Sequence, residues 1–77
     1  MKKEHEEVYK KLRFNISYTR KMQGMSQLQL AEKVGISRTH MSNIEATNST
    51  TLPSIDVLID IASALGIPLT KLFEFRD

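Results

Sequence analysis

Residues 27–46 read QLQLAEKVGISRTHMSNIEA, and the rest of the chain is arranged around them. Leu30, Ala31 and Val34 fall on one face of a short helix, and Met41 and Ile44 on one face of a second. Ile36 lies between the two, and nearly every other position is polar. Val34-Gly35-Ile36 is the hinge, because a glycine between two apolar-periodic runs supplies the positive φ that a tight turn needs. Ser37 stands where an N-cap belongs, its hydroxyl placed to accept from the exposed backbone N–H groups of the second helix. Upstream, Ser26 followed three residues later by Gln29 makes a capping box for the first.

The flanks read as further helices. Glu4, Glu6 and Glu7 precede Arg20 and Lys21, which matches the dipole of a long helix over about residues 4–22, closed by Gly24. Val8, Leu12 and Ile16, with Tyr9 beside them, give it one apolar stripe. The second short helix is expected to end near Ala46 or Thr47, and ATNSTTLP over residues 46–53 is a loop by composition. Ser54 caps the next helix, whose inward residues step as Ile55, Leu58, Ile61, Ala62 and Leu65 before Gly66 stops it. Pro68 can open a last short helix from Leu69 to about Glu74, with Leu69, Leu72 and Phe73 apolar. The expectation is an all-α fold, a compact five-helix bundle forming a single domain over residues 1–77.

A chain of 77 residues buries a modest fraction of its surface, so short, economically packed helices suit it. It has no cysteine, which excludes disulfides and thiolate metal sites and fits a reducing compartment. The opening MKKEHEEVYKK has no apolar core segment and so does not read as a signal peptide, and no later run approaches a membrane span. A cytoplasmic location is expected. His5-Glu6 begins like the zinc-protease motif HExxH, but Tyr9 stands where the second histidine belongs. No nucleophile–base set, metal cluster or glycine-rich phosphate loop is present, so no enzymatic activity, cofactor or small-molecule ligand is expected.

Net charge is +2, but its distribution is uneven. Residues 8–44 carry seven basic side chains, Lys10, Lys11, Arg13, Arg20, Lys21, Lys33 and Arg38, against Glu32 alone. Residues 45–77 carry two basic side chains against five acidic ones. A basic portion joined to an acidic remainder is the asymmetry expected when one face meets phosphate, and a mixed solvated surface is the plain alternative.

Two short helices hinged in this way form a helix-turn-helix, over about residues 27–46, in which the first helix braces a second that enters the DNA major groove. The stretch from Met25 to Glu45 resembles the phage-repressor and Cro-type family, also called lambda-repressor-like or XRE-like. The likeness extends from about Leu12 to Phe73. It rests on Gly24-Met25-Ser26-Gln27, Leu30-Ala31, Val34-Gly35-Ile36-Ser37, Ile44-Glu45, Pro53-Ser54, Ala62 with Leu65-Gly66, and Leu72-Phe73 at matching offsets. The resemblance implies a lambda-repressor-like bundle with double-stranded DNA as partner. It also implies an ion pair between Arg20 and Glu45 that orients the recognition helix. The chain departs from the family pattern after Glu45, where Ala46 replaces a common glycine and the loop before Pro53 has no basic residue.

Helix geometry then selects the DNA-facing side chains. With Met41 and Ile44 inward, Arg38, Thr39, Ser42 and Asn43 face outward and His40 lies on the flank. The resemblance makes Arg38, Thr39 and Asn43 base readers, for a guanine, a thymine methyl and an adenine respectively. It makes Gln27 a phosphate or base clamp. Ser37 is a cap that can also donate to phosphate, and Thr47 and its neighbours either touch the sugar-phosphate backbone or form a plain loop. Proteins of this type bind pseudo-palindromes as two-fold dimers. Leu72 and Phe73 are expected in the core, leaving Leu69, Phe75 and part of the fourth helix as a dimer face. The leading reading is a transcriptional regulator, most simply a repressor acting as a homodimer. The alternative is an antitoxin-like or bridging module that uses the fourth or fifth helix to hold another protein.

Overall fold

The computed structural model describes residues 2–74. Four α-helices, α1 (Lys3–Met22), α2 (Gln27–Val34), α3 (Arg38–Glu45) and α4 (Ile55–Leu65), precede a closing 3-10 helix (Leu69–Phe73), and the described residues contain no strand. The all-α expectation therefore holds, with its fifth element wound as 3-10 rather than α. The reason is local: Leu69 and Leu72 are three residues apart and fall on one side of a helix with three residues per turn, in a segment of five residues. No helix among the described residues is long and apolar enough to cross a membrane.

Every expected serine cap is present. Ser26 Oγ accepts from the Gln29 N–H at 3.0 Å while Gln29 Oε1 accepts from the Ser26 N–H at 2.8 Å, closing the capping box. Ser37 and Ser54 cap α3 and α4 through the N–H groups of His40 and Val57. At the hinge, Gly35 adopts φ 84° and both Gly35 N–H and Ile36 N–H donate back to Ala31 O. A Cβ at Gly35 would meet nothing within 4 Å, so the position requires glycine for its backbone conformation and not for space.

The core is formed by Leu12 and Ile16 of α1, Leu30 and Ala31 of α2, Met41 and Ile44 of α3, Leu58, Ile61, Ala62 and Leu65 of α4, and Leu72. Tyr9, Val34 and Ile36 pack against it half-buried. Four apolar residues lie elsewhere than their spacing predicts. Val8 is exposed because the first two turns of α1 run past the bundle, with Tyr9 alone half-buried there. Ile55 is 62% exposed at the first position of α4, ahead of the point where that helix meets its neighbours. Phe73 is 40% exposed, whereas Leu69 packs against the core, so the two exchange the roles expected of them. The 3-10 winding explains that exchange, since it aligns Leu69 with the fully buried Leu72 and turns Phe73 outward.

Polar side chains of α1 tie the helices together. Arg13 is 2% exposed, and its guanidinium donates to Asn43 O at 2.9 Å, to Ile44 O at 2.8 Å and to Thr51 O. A fixed cation thus satisfies carbonyls at the C-terminal end of α3, where the helix dipole favours positive charge, and anchors the following loop. Burial pushes the Arg13 guanidinium below its ordinary value, and the nearby Tyr9 acts in the opposite direction. Gln23 Nε2 donates to Leu65 O at 2.7 Å, and Asn15 Nδ2 to Leu72 O at 2.9 Å and to Glu74 O at 3.1 Å.

Arg20 and Glu45 form the expected pair, and it is buried: the residues are 6% and 8% exposed. Arg20 donates through Nε to Glu45 Oε2 at 2.8 Å and through Nη2 to Oε1 at 2.9 Å, a bidentate fork, while Nη1 reaches Met25 O at 2.7 Å. Removing one member leaves an unpaired buried charge, so Arg20→Ala is expected to lower the unfolding free energy by roughly 3–5 kcal/mol. The apolar double variant Arg20→Met/Glu45→Leu is expected to cost less than the single one in the same urea titration. Gly35→Ala is expected to cost about 1–2 kcal/mol, by forcing a Cβ into the left-handed region with no clash to relieve.

Candidate nucleic-acid interface

The second helix of the hinged pair, α3, has one wholly buried side and one polar side. Met41 and Ile44 are fully covered by the core. Arg38, Thr39 and Asn43 are exposed, and His40 and Ser42 are half-buried along the edges. At roughly 100° per residue, Thr39 and Asn43 lie one turn apart on the same outer row, with Arg38 beside them at the helix start. Ser37 is exposed just ahead of the helix; its Oγ accepts from the His40 N–H at 3.0 Å, which leaves its own O–H able to donate outward. These side chains form one continuous polar strip.

Gln27 sits apart from that strip in its bonding. It is half-buried at the first position of α2, and its Nε2 donates to Glu45 Oε1 at 3.1 Å. That oxygen therefore accepts from both Arg20 and Gln27, so Gln27 is joined to the buried ion pair as well as lying at the start of the bracing helix. Sequence spacing suggested the second property and not the first. Thr47 is exposed at the start of the loop, beyond the C-terminal end of α3. The loop is internally ordered, with the Ser49 N–H donating to Ala46 O and the Thr51 N–H to Ser49 Oγ.

The placement of charge corrects the simple count. Of the seven cations in the basic portion, Arg13 and Arg20 are buried and bonded to carbonyls or a carboxylate within the fold. Lys11 is exposed beside Phe14, Lys10 lies between Phe14 and the recess lined by Arg13 and residues 47–50, and Lys21 and Lys33 are exposed at the ends of α1 and α2. Arg38 is the basic residue of α3 itself. Arg13 was not separable from its neighbours by charge. The available signal was its position, three residues before Ile16 and seven before Arg20, which puts it on the inward face of α1.

A family model described as Helix-turn-helix matches residues 16–72, from within α1 to the closing 3-10 helix. No curated protein matches the chain. The match spans the capping box, the Gly35 hinge, α3 and the Arg20–Glu45 pair, and covers most of the 77 residues. The chain belongs to the XRE-type, Cro/C1-type helix-turn-helix family of DNA-binding transcription regulators.

Proposed function

We propose that the protein is a sequence-specific repressor that occupies a pseudo-palindromic operator as a homodimer in the cytoplasm. The observation that carries this reading is the division of α3: its inner row is fully buried while Arg38, Thr39 and Asn43 stand exposed on the outer side. A helix so divided can enter the major groove without disturbing the core.

Each exposed type suits a particular base edge. Arg38 can donate two parallel bonds to guanine O6 and N7, Asn43 can pair with adenine N6 and N7, and the Thr39 methyl can meet a thymine methyl. Ser37, His40 and Ser42 at the edges of the strip, and Gln27 at the start of α2, are the proposed phosphate contacts that fix the register, and Thr47 lies beyond the end of α3. Glu45 accepts from one N–H of the Gln27 amide, and a phosphate contact by this residue would use the other.

A two-fold pair of such helices needs a face for the second copy. Leu69 is turned into the bundle and does not supply it, and Phe75 lies outside the described residues. Ile55 and Ile59 are exposed one turn apart on α4, and Leu52 is exposed in the loop before it, which retains the part of the expected face that belongs to the fourth helix. An isologous contact along that ridge would bury all three.

Selection from a random duplex pool is expected to enrich a two-fold-symmetric sequence with half-sites about 34 Å apart along the duplex. On the selected site, Arg38→Ala and Asn43→Ala are expected to relax base preference by roughly 1–3 kcal/mol each, with affinity falling steeply as salt rises. A pool with no enriched duplex would rule the reading out. Ile55→Glu/Ile59→Glu is expected to leave a folded monomer by sedimentation; a strict monomer in the parent, with and without DNA, would rule out the dimer.

A further inference from the structure

Three of the four α-helices end at a left-handed glycine, and the helix that carries the polar strip does not. Gly24, Gly35 and Gly66 turn the chain out of α1, α2 and α4 at φ 74°, 84° and 70°, and backbone N–H groups at and after each glycine donate back to carbonyls of the last turn. α3 closes on Ala46 in extended conformation, φ −73° and ψ 123°, with the Ala46 N–H donating to Ser42 O. The next two carbonyls, of Asn43 and Ile44, accept instead from a side chain of another helix, Nη1 of Arg13, at 2.9 and 2.8 Å. The same guanidinium donates through Nη2 to Thr51 O, so the chain on both sides of residues 45–50 is held by one group. Arg13 is buried and makes no salt bridge among the described residues, and its bonds are directed at these three carbonyls.

We infer that Arg13 is a positioning residue for base reading by Asn43: it holds the last turn of α3 and the loop after it as one unit, so that the Asn43 side chain is presented to the groove at a fixed depth. This rests on the reading of α3 as the DNA-contacting helix. Asn43 is bound to the fold by its carbonyl and exposed at its side chain, so loosening the first displaces the second. A helix of eight residues has few internal bonds, and its final turn frays first when its carbonyls lose their partners. The Arg20–Glu45 pair holds the end of α3 through a side chain, and it leaves the Asn43 and Ile44 carbonyls to Arg13. Arg38 stands at the opposite end of the helix, where Ser37 supplies a cap that does not involve Arg13. A bidentate pair with adenine needs both of its bonds near their usual length of about 3 Å, so a displaced asparagine loses discrimination between bases. Loss at the base pair read by Asn43, with the one read by Arg38 retained, is the signature of positioning; a general loss of stability affects both.

Arg13→Met in the full chain tests this, with Leu58→Ala as a core truncation in α4 for comparison. In the free protein, hydrogen exchange of the Ala46 N–H, bonded to Ser42 O, is expected to rise about tenfold or more in Arg13→Met relative to that of the Met41 N–H, bonded to Ser37 O, and the two are expected to rise together in Leu58→Ala. On the duplex selected with the parent chain, the two base pairs are identified by the preferences that Asn43→Ala and Arg38→Ala remove. Arg13→Met is expected to lose about tenfold in discrimination at the Asn43 pair and less than about twofold at the Arg38 pair, and Leu58→Ala to keep both. Arg13→Lys keeps the cation but offers a point donor in place of the fork, and is expected to recover part of the loss; it carries the same comparison if Arg13→Met does not fold. Equal loss at both pairs, unchanged discrimination at the Asn43 pair in either Arg13 variant, or an Asn43→Ala chain that loses no preference overturns this inference alone. Exchange in Arg13→Met that rises evenly along α3 does the same without reference to DNA. A parent chain that enriches no duplex overturns the DNA reading and this inference with it.

Discussion

A carboxylate at the C-terminal end of α3 and a guanidinium near the end of α1 face each other out of reach of water. Both residues are more than nine-tenths covered, and the Arg20 guanidinium donates to both Glu45 carboxylate oxygens and to Met25 O. Two charges in that position constrain geometry more than they stabilise, because desolvation opposes most of their attraction while misalignment exposes its full cost. The bidentate fork fixes the angle between the two helices, the bond to Met25 O fixes the approach to α2, and Gln27 joins from the first residue of α2. Arg13 holds the same end of α3 by its carbonyls. The recognition helix is therefore oriented from its C-terminal end, which leaves the N-terminal half, with Arg38 and Thr39, free of internal bonds from those groups.

This use of arginine changes what the basic charge of the N-terminal half means. Two of the seven cations hold α3 in place, Lys10 and Lys11 stand on the exposed surface of α1, Lys21 and Lys33 at the ends of α1 and α2, and Arg38 on α3. An even electrostatic face turned toward phosphate does not describe the fold. Positive charge is divided between internal structure, exposed lysines of α1 and α2, and a single exposed arginine on α3.

Local structure was legible because its causes are local. The capping box at Ser26 and Gln29, the caps at Ser37 and Ser54 and the left-handed Gly35 each depend on residues within four positions, and each is present as read. The Arg20–Glu45 pair joins residues 25 apart and was legible only through resemblance to a family. Arg13, Gln27 and the exposed Phe14 and Tyr18 of α1 show what periodicity leaves open. Spacing identifies which residues share a face, but Leu12 with Ile16 and Phe14 with Tyr18 are both spaced at four, and only the packed bundle decides which pair is covered. The same holds for Ile55, which continues the inward series of α4 but stands outside the contact, and for Leu69 and Phe73, whose sides depend on whether the last turn is α or 3-10.

The central proposal is that DNA is met along the outer side of α3 and not along Phe14 and Tyr18 of α1. Amide NMR of the labelled protein titrated with a selected duplex tests it directly. The account predicts shifts at Gln27 and residues 37–43, and none at Phe14, Tyr18 or Lys71. Shifts concentrated along α1 and the closing 3-10 helix, with α3 unaffected, would contradict it.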